Sequence, residues 1–260
     1  MGSFDQTLLV TLKDDKWFDR QKIAGQCVGS ILSALNRLIK EVTPNLTLRD
    51  LEQTAIKMFK EAGCTATFLG YKGFPGAVCL SVNRQLVHGI PSDYKIQDGD
   101  VVKFDLGATY EGAIADAAAT AIYGNPKSVQ HVELVETCRA ALNNGIKAVT
   151  LGKRLGVIGY AIQHTVKRTR FGLITNYGGH GLDENKPHAS PFVPNKSQPT
   201  EGIRIPVGLT VAIEPMVVVG DTRTVVAKDG WTVLTEGVGA HFEHTIFVGP
   251  DKVHVMTEWT

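Results

Sequence analysis

Val101-Val102-Lys103-Phe104-Asp105-Leu106 and Ala113-Ile114-Ala115-Asp116-Ala117-Ala118-Ala119 are two apolar runs joined across Thr109-Tyr110-Glu111-Gly112, a polar segment ending in glycine. Together they read as a β-hairpin. An aspartate interrupts each run. Burying a lone carboxylate is costly, and a paired cation or a metal normally meets it. With the turn centred on Tyr110 and Glu111, Asp105 and Asp116 fall directly opposite each other on one face, with Cβ atoms about 4.5–5.5 Å apart. Like charges at that separation need a cation between them.

Three more residues extend the pattern outward. Glu214 sits in Leu209-Thr210-Val211-Ala212-Ile213-Glu214-Pro215-Met216, and Glu243 in Phe242-Glu243-His244-Thr245-Ile246-Phe247-Val248. His180 lies in the glycine-rich run Tyr177-Gly178-Gly179-His180-Gly181. Four carboxylates and a histidine, with too few arginines or lysines in the same runs to pair them, read as a metal site. Such donors suit Mn, Fe(II), Co or Zn. The lack of a cysteine in the set argues against structural zinc. Two divalent ions would balance four carboxylates, and two-metal sites clamp an attacking oxygen, so hydrolysis of an amide or ester is the expected reaction class. No HExxH, GxSxG or P-loop occurs, which removes the zincin, common serine-hydrolase and nucleotide readings.

Composition sets outer bounds. The 260 residues are 43% hydrophobic with a formal net charge of +1, so no global field recruits nucleic acid or anionic lipid. The basic stretch Lys167-Arg168-Thr169-Arg170 reads as a solvated helix end, with a transient ribosome contact as the alternative. Cys27, Cys64, Cys79 and Cys138 show no CxxC spacing and are expected as reduced thiols in a cytoplasmic protein. No signal peptide and no membrane span are expected.

Val28, Ile31, Leu32, Leu35, Leu38, Ile39 and Val42 predict a helix over 17–42, which Pro44 and Asn45 stop. Thr47-Leu48-Arg49-Asp50 predicts a capping box opening a second helix to about Ala62. Strands and turns are expected over 66–123, further helices over 128–147 and 154–167, and strands beyond. Two helices then strands, twice over, suggests a duplicated α-plus-β half. A tail over 1–11 and one catalytic domain over 12–260 are expected, with the site in the seam between the halves.

Gly70-Tyr71-Lys72-Gly73-Phe74-Pro75, Cys79-Leu80-Ser81-Val82-Asn83, Val87-His88-Gly89-Ile90-Pro91, Gly179-His180-Gly181, Ala212-Ile213-Glu214-Pro215 and Phe242-Glu243-His244-Thr245 occur in that order. With the acidic series they resemble the type I methionine aminopeptidases, over about residues 12 to 250. The resemblance implies an α+β pita-bread fold: two pseudo-symmetric halves, a central antiparallel sheet and helices outside. It implies removal of the initiator methionine from nascent chains and peptides, with a small second residue preferred, by a monomeric enzyme holding two divalent ions (Co, Mn, Fe(II) or Zn).

It also implies residue roles. Asp105 would chelate one metal, Asp116 and Glu243 would bridge both, and His180 and Glu214 would hold the other. Glu214 would also accept a proton, His88 would contact the substrate backbone, and His188 would stabilise the tetrahedral intermediate. Tyr71, Phe74, Cys79, Trp231 and Phe68 would wall a methionine pocket. Some positions depart from the family pattern. Pro187-His188-Ala189-Ser190 replaces a Phe-His followed by acidic residues, and its spacing from His180 is one residue longer. Phe68 stands where a small residue is frequent, and Phe74 where tyrosine is. His241, two positions before Glu243, shares its strand face. It reads as an unrelated surface histidine, with support of the metal ligands as the alternative, while His244 points the other way.

The competing functions are an X-Pro aminopeptidase or prolidase and a non-catalytic binding protein on the same fold. The former usually carry an extra N-terminal domain, and the latter would have lost ligands that are present here. The 29 positions from Glu214 to Glu243 leave no room for the helical insertion of type II enzymes.

Overall fold

The computed structural model describes residues 10–259. Residues 1–9 of the expected tail lie outside the described residues. Helices α1 (Asp15–Lys40) and α2 (Leu48–Glu61) lead, followed by β1 (Thr65–Ala66), β2 (Cys79–Val82), β3 (Gln85–Val87) and the long hairpin of β4 (Val101–Tyr110) and β5 (Ala113–Ile122). Helices α3 (Val129–Ala148) and α4 (Gly156–Val166) come next. The remaining strands are β6 (Gly172–Leu173), β7 (Gly178–Asp183), β8 (Lys186–Pro194), β9 (Thr210–Ile213), β10 (Met216–Val218), β11 (Val225–Val226), β12 (Val233–Leu234), β13 (Gly239–His241), β14 (Glu243–Val248) and β15 (Val253–Val255).

The helices begin where their caps dictate. Asp14 accepts from the Trp17 amide and starts α1 two residues before the predicted position. At α2 the capping box forms with the short Asp50 side chain answering Thr47. Ser128 caps α3 by accepting from the His131 amide. Each cap satisfies an amide that the first turn leaves without a partner.

Nine strands form the main antiparallel sheet, in the order β1-β4-β5-β14-β9-β7-β8, with β2 on β4 and β15 on β14. Two three-stranded sheets, β13-β10-β6 and β11-β12-β3, complete the structure. Helix α1 lies over β4 and β5, and α3 packs on α4 and the strands of the second half. The alanines of β5 explain the close fit of α1. Ala115, Ala117 and Ala119 join Val28, Ile31, Leu32 and Leu35 in the core, while Asp116 between them faces the other way.

The hairpin register differs from the sequence expectation. The two-residue turn is Glu111-Gly112, with φ of 44° and 82°, and Tyr110 pairs with Ala113. A turn with both central residues left-handed matches strand twist, and glycine accepts that conformation readily at the second position. Asp105 therefore pairs with Ala118, and Asp116 with Gly107. The slip is two residues. Side chains alternate with period two, so both aspartates stay on one face and become diagonal neighbours rather than direct opposites.

Candidate metal centre and substrate pocket

Along the order β4-β5-β14-β9-β7, every strand delivers one acid or imidazole to the same cavity: Asp105, Asp116, Glu243, Glu214 and His180. Glu214 is the residue immediately after β9. Ala118 pairs with Asp105 on one side and Glu243 on the other, so the two acids flank a methyl group. The Thr245 hydroxyl pins the strand beside them. It accepts from the Asp116 amide at 2.8 Å and donates to the Asp116 carbonyl at 2.8 Å.

The cluster has the chemistry of a cation site. Asp105 Oδ1, Asp116 Oδ1 and Glu243 Oε1 are buried without a hydrogen-bond partner. Each such orphan costs about 1–3 kcal/mol or more when charged, unless something compensates. Among the described residues no lysine or arginine pairs with them. Lys103, buried on the same strand as Asp105, gives its ammonium to the Asn83 carbonyl at 2.8 Å. Ligand atoms of Asp116, His180 and Glu243 lie within 4.8 Å of one another, as do those of Glu214, His241 and Glu243. His180 Nδ1 stands 3.2 Å from the Gly181 carbonyl, which leaves Nε2 facing Glu214 Oε1 at 3.6 Å and Glu243 Oε1 at 3.9 Å. A ring nitrogen held by a carbonyl frees the other for a metal. The donor set therefore fits divalent ions.

Burial and mutual repulsion shape the titration of the acids. Burial, then the Asp116 charge, pushes Asp105 well above the usual carboxylate range. Burial raises Asp116 to about 7. Glu214 rises through burial and then Asp105 and Asp116. Glu243 rises through burial and then Asp116, Glu214 and Asp105. Burial lowers His180 to about 4, keeping it neutral as a ligand must be.

All twelve residues expected at the site line this one cavity of about 450 Å³. Phe68, Phe74 and Cys79 form a buried apolar cluster joined by Trp231 and Ile90, and the Phe74 and Trp231 rings meet edge to face at 5.1 Å. Gly107 makes room for this wall, because a Cβ there would come within 3.2 Å of the Phe68 ring. His188 Nδ1 stands 3.2 Å from Tyr71 Oη, and its ring is 4.5 Å from that of His180. His88 holds a left-handed φ of 58°, uncommon outside glycine and a conformation that clusters at functional sites.

Sequence reasoning missed several lining residues: Lys72, Tyr177, Phe192 and Met216. Tyr177 and Met216 flank His180 and Glu214 closely in sequence, which is a usable signal. Phe192 carries none, since it arrives by pairing with His180 across β7 and β8. The reading of His241 as a surface histidine is wrong. It is 1% exposed and lies behind Glu214 and Glu243. Strand periodicity gave its face correctly, and the burial of that face decided the rest. His244 does point away, its Nδ1 meeting Thr257 Oγ1 at 2.9 Å.

Residues 20–250 match the family model described as "Metallopeptidase family M24". The chain belongs to metallopeptidase family M24. Within the family, it is 38% identical to a methionine aminopeptidase of Mycoplasma capricolum, over 96% of this chain and 99% of that protein. The crystal structure of a methionine aminopeptidase from Thermotoga maritima superposes with a TM-score of 0.91 at 37% identity, covering 96% of this chain and 100% of that one. A prolidase from Pyrococcus furiosus, at 18% identity and a TM-score of 0.74, covers 98% of this chain but 67% of its own and shares the fold. The fold is the pita-bread fold of this family, with its two related halves.

Proposed function

We propose that this chain is a metal-dependent methionine aminopeptidase that removes the initiator methionine from nascent proteins and peptides with a small second residue. The carrying observation is the join of the five-strand ligand row to an apolar pocket inside one cavity. Asp105, Asp116, His180, Glu214 and Glu243 would hold two divalent ions, drawn from Co, Mn, Fe(II) and Zn. Such ions, when bound, polarise a carbonyl and bring the ionisation of water near neutral pH.

The chain's own groups do the remainder. Phe68, Phe74, Cys79 and Trp231 take the unbranched methionine side chain, with Tyr71 at the edge. Burial raises the Cys79 thiol, with the nearby carboxylates adding to it, so it stays neutral and serves as apolar wall. Glu214, which lines the cavity beside the other ligands, would accept a proton during hydrolysis. His88 hydrogen-bonds the scissile peptide nitrogen, and His188, oriented by Tyr71, donates toward the scissile carbonyl oxygen. Residues 12–260 act as one catalytic unit, monomeric and cytoplasmic, on chain N-termini as they emerge, with Lys167 to Arg170 the candidate ribosome contact.

Hydrolysis of Met-Ala-Ser and Ala-Pro by metal-depleted and replenished protein tests the proposal. Cleavage of Met-Ala-Ser alone, restored by one or more of the four ions, is expected. Cleavage of Ala-Pro in preference, or equal Met-Ala-Ser turnover without metal, refutes it.

A further inference from the structure

His241 is the last residue of β13, and neither the ligand row nor the pocket uses it. Its imidazole is 1% exposed and both ring nitrogens lack a hydrogen-bond partner, although it does not line the cavity. Its placement relative to the acids is regular. Glu214 and Glu243 each turn one oxygen, Oε1, toward His180 Nε2, at 3.6 and 3.9 Å. Each turns the other, Oε2, toward His241 Nε2, at 3.5 and 3.8 Å. The two histidines thus bracket the same pair of carboxylates from opposite oxygens, one from the cavity side and one from behind.

The backbone of His241 is fixed as firmly as that of Asp116. The Thr120 hydroxyl accepts from the His241 amide at 2.9 Å and donates to its carbonyl at 2.6 Å. Met216 on β10 pairs with it directly. An imidazole so anchored, with no partner except two carboxylates, has one economical role: an Nε2 hydrogen shared between their outer oxygens. Groups that orient metal ligands in this way are worth about 10–100-fold in metal affinity.

We infer that His241 is a positioning residue for the metal centre, donating from Nε2 to the outer oxygens of Glu214 and Glu243 so that their inner oxygens face the ions. The inference rests on the reading of the cluster as a divalent-ion site. It is tested by calorimetric titration of the metal-depleted protein with Mn and Co, together with the visible absorption of the Co-loaded form. His241→Leu, which keeps bulk and loses the donor, should weaken binding about tenfold to a hundredfold and alter the Co spectrum. His241→Gln, which restores a donor of similar reach, should return affinity to within a few-fold of wild type. If the leucine variant fails to fold, His241→Asn replaces it. Its amide is one methylene shorter and should behave as a weak binder beside the glutamine variant. Wild-type affinity and spectrum in the leucine variant, or equal affinity in the asparagine and glutamine variants, overturns the role while leaving the metal site standing. A wild-type protein that binds neither ion overturns the metal site and this inference together.

Discussion

The row of acids with His180 and the apolar pocket share a cavity but are built by different means. Asp105, Asp116, Glu243 and His180 sit within paired strands, where register fixes each Cβ, and Glu214 follows its strand directly. The pocket is mostly loop. Tyr71 belongs to the tight turn Tyr71–Gly73, bracketed by Gly70 at φ 79° and Gly73 at φ 87° with Lys72 itself at φ 48°. Trp231 hangs from a loop whose amide, with that of Thr232, donates to Asp229 Oδ1 at 2.9 Å. Ladder-borne groups cannot move without breaking the sheet. Loop-borne groups depend on a few turn contacts and can change with the sheet untouched. On the proposed function, chemistry that needs fixed distances would rest on the ladder, and selectivity on the loops.

That division can be broken most severely at Glu214. Glu214→Gln should lower kcat on Met-Ala-Ser by about a hundred- to ten-thousand-fold, the usual span for loss of a general base, while the fold stays intact. Turnover within a few-fold of wild type would remove Glu214 from the proton-transfer role.

A smaller effect is expected on the loop side. Trp231→Ala opens one wall of the pocket, and apolar-pocket discrimination is worth about 10–200-fold per lost fit. kcat/KM for Met-Ala-Ser should fall within that range, and the advantage of methionine over leucine at the first position should shrink. Metal affinity, measured by calorimetry, should not change. Weakened metal binding in this variant would show that loop and ladder are coupled after all.

The smallest effect sharpens the electrostatics of the ladder. Burial holds the folded Asp116 carboxyl at about 7, against an ordinary 3.8. Between those values the folded chain keeps a proton that the unfolded chain releases, so this group's contribution to stability is present at low pH and lost as pH rises through 7. Asp116→Asn should therefore raise the melting temperature of the metal-free protein at pH 8 by several degrees and leave it nearly unchanged at pH 4. A difference independent of pH would refute a raised Asp116. Adding Mn should reverse the ranking at pH 8, since the wild type then gains more from the ion.

Much of the ladder was legible from residues alone. Acids interrupting apolar runs identified Asp105, Asp116, Glu214 and Glu243, because burial of carboxylates is too costly to be accidental. The pairing of Asp105 with Asp116 was misplaced by two residues. A four-residue polar segment does not say which two residues make the turn, and the left-handed pair at Glu111-Gly112 settled it. The pocket was legible through resemblance to a family rather than through spacing, since Phe68, Tyr71 and Trp231 follow no periodicity. Phe192 carried no signal, and for His241 the face was legible but its burial was not. Phe192 depends on the β7–β8 pairing, and His241 on what covers its strand face.

By itself the sequence determined the helix caps, the alternation that puts each acid on one face, and the presence of more buried negative charge than the chain can neutralise. These are local properties, set by hydrogen-bond donors, side-chain periodicity and the cost of desolvating a carboxylate. Tertiary structure alone decided the strand order that brings residues 105, 116, 180, 214 and 243 side by side, the hairpin register, and the burial of His241 behind Glu214 and Glu243. Those depend on which strands pair across long stretches of chain. That choice is made by the whole core at once, so no short window of residues contains it.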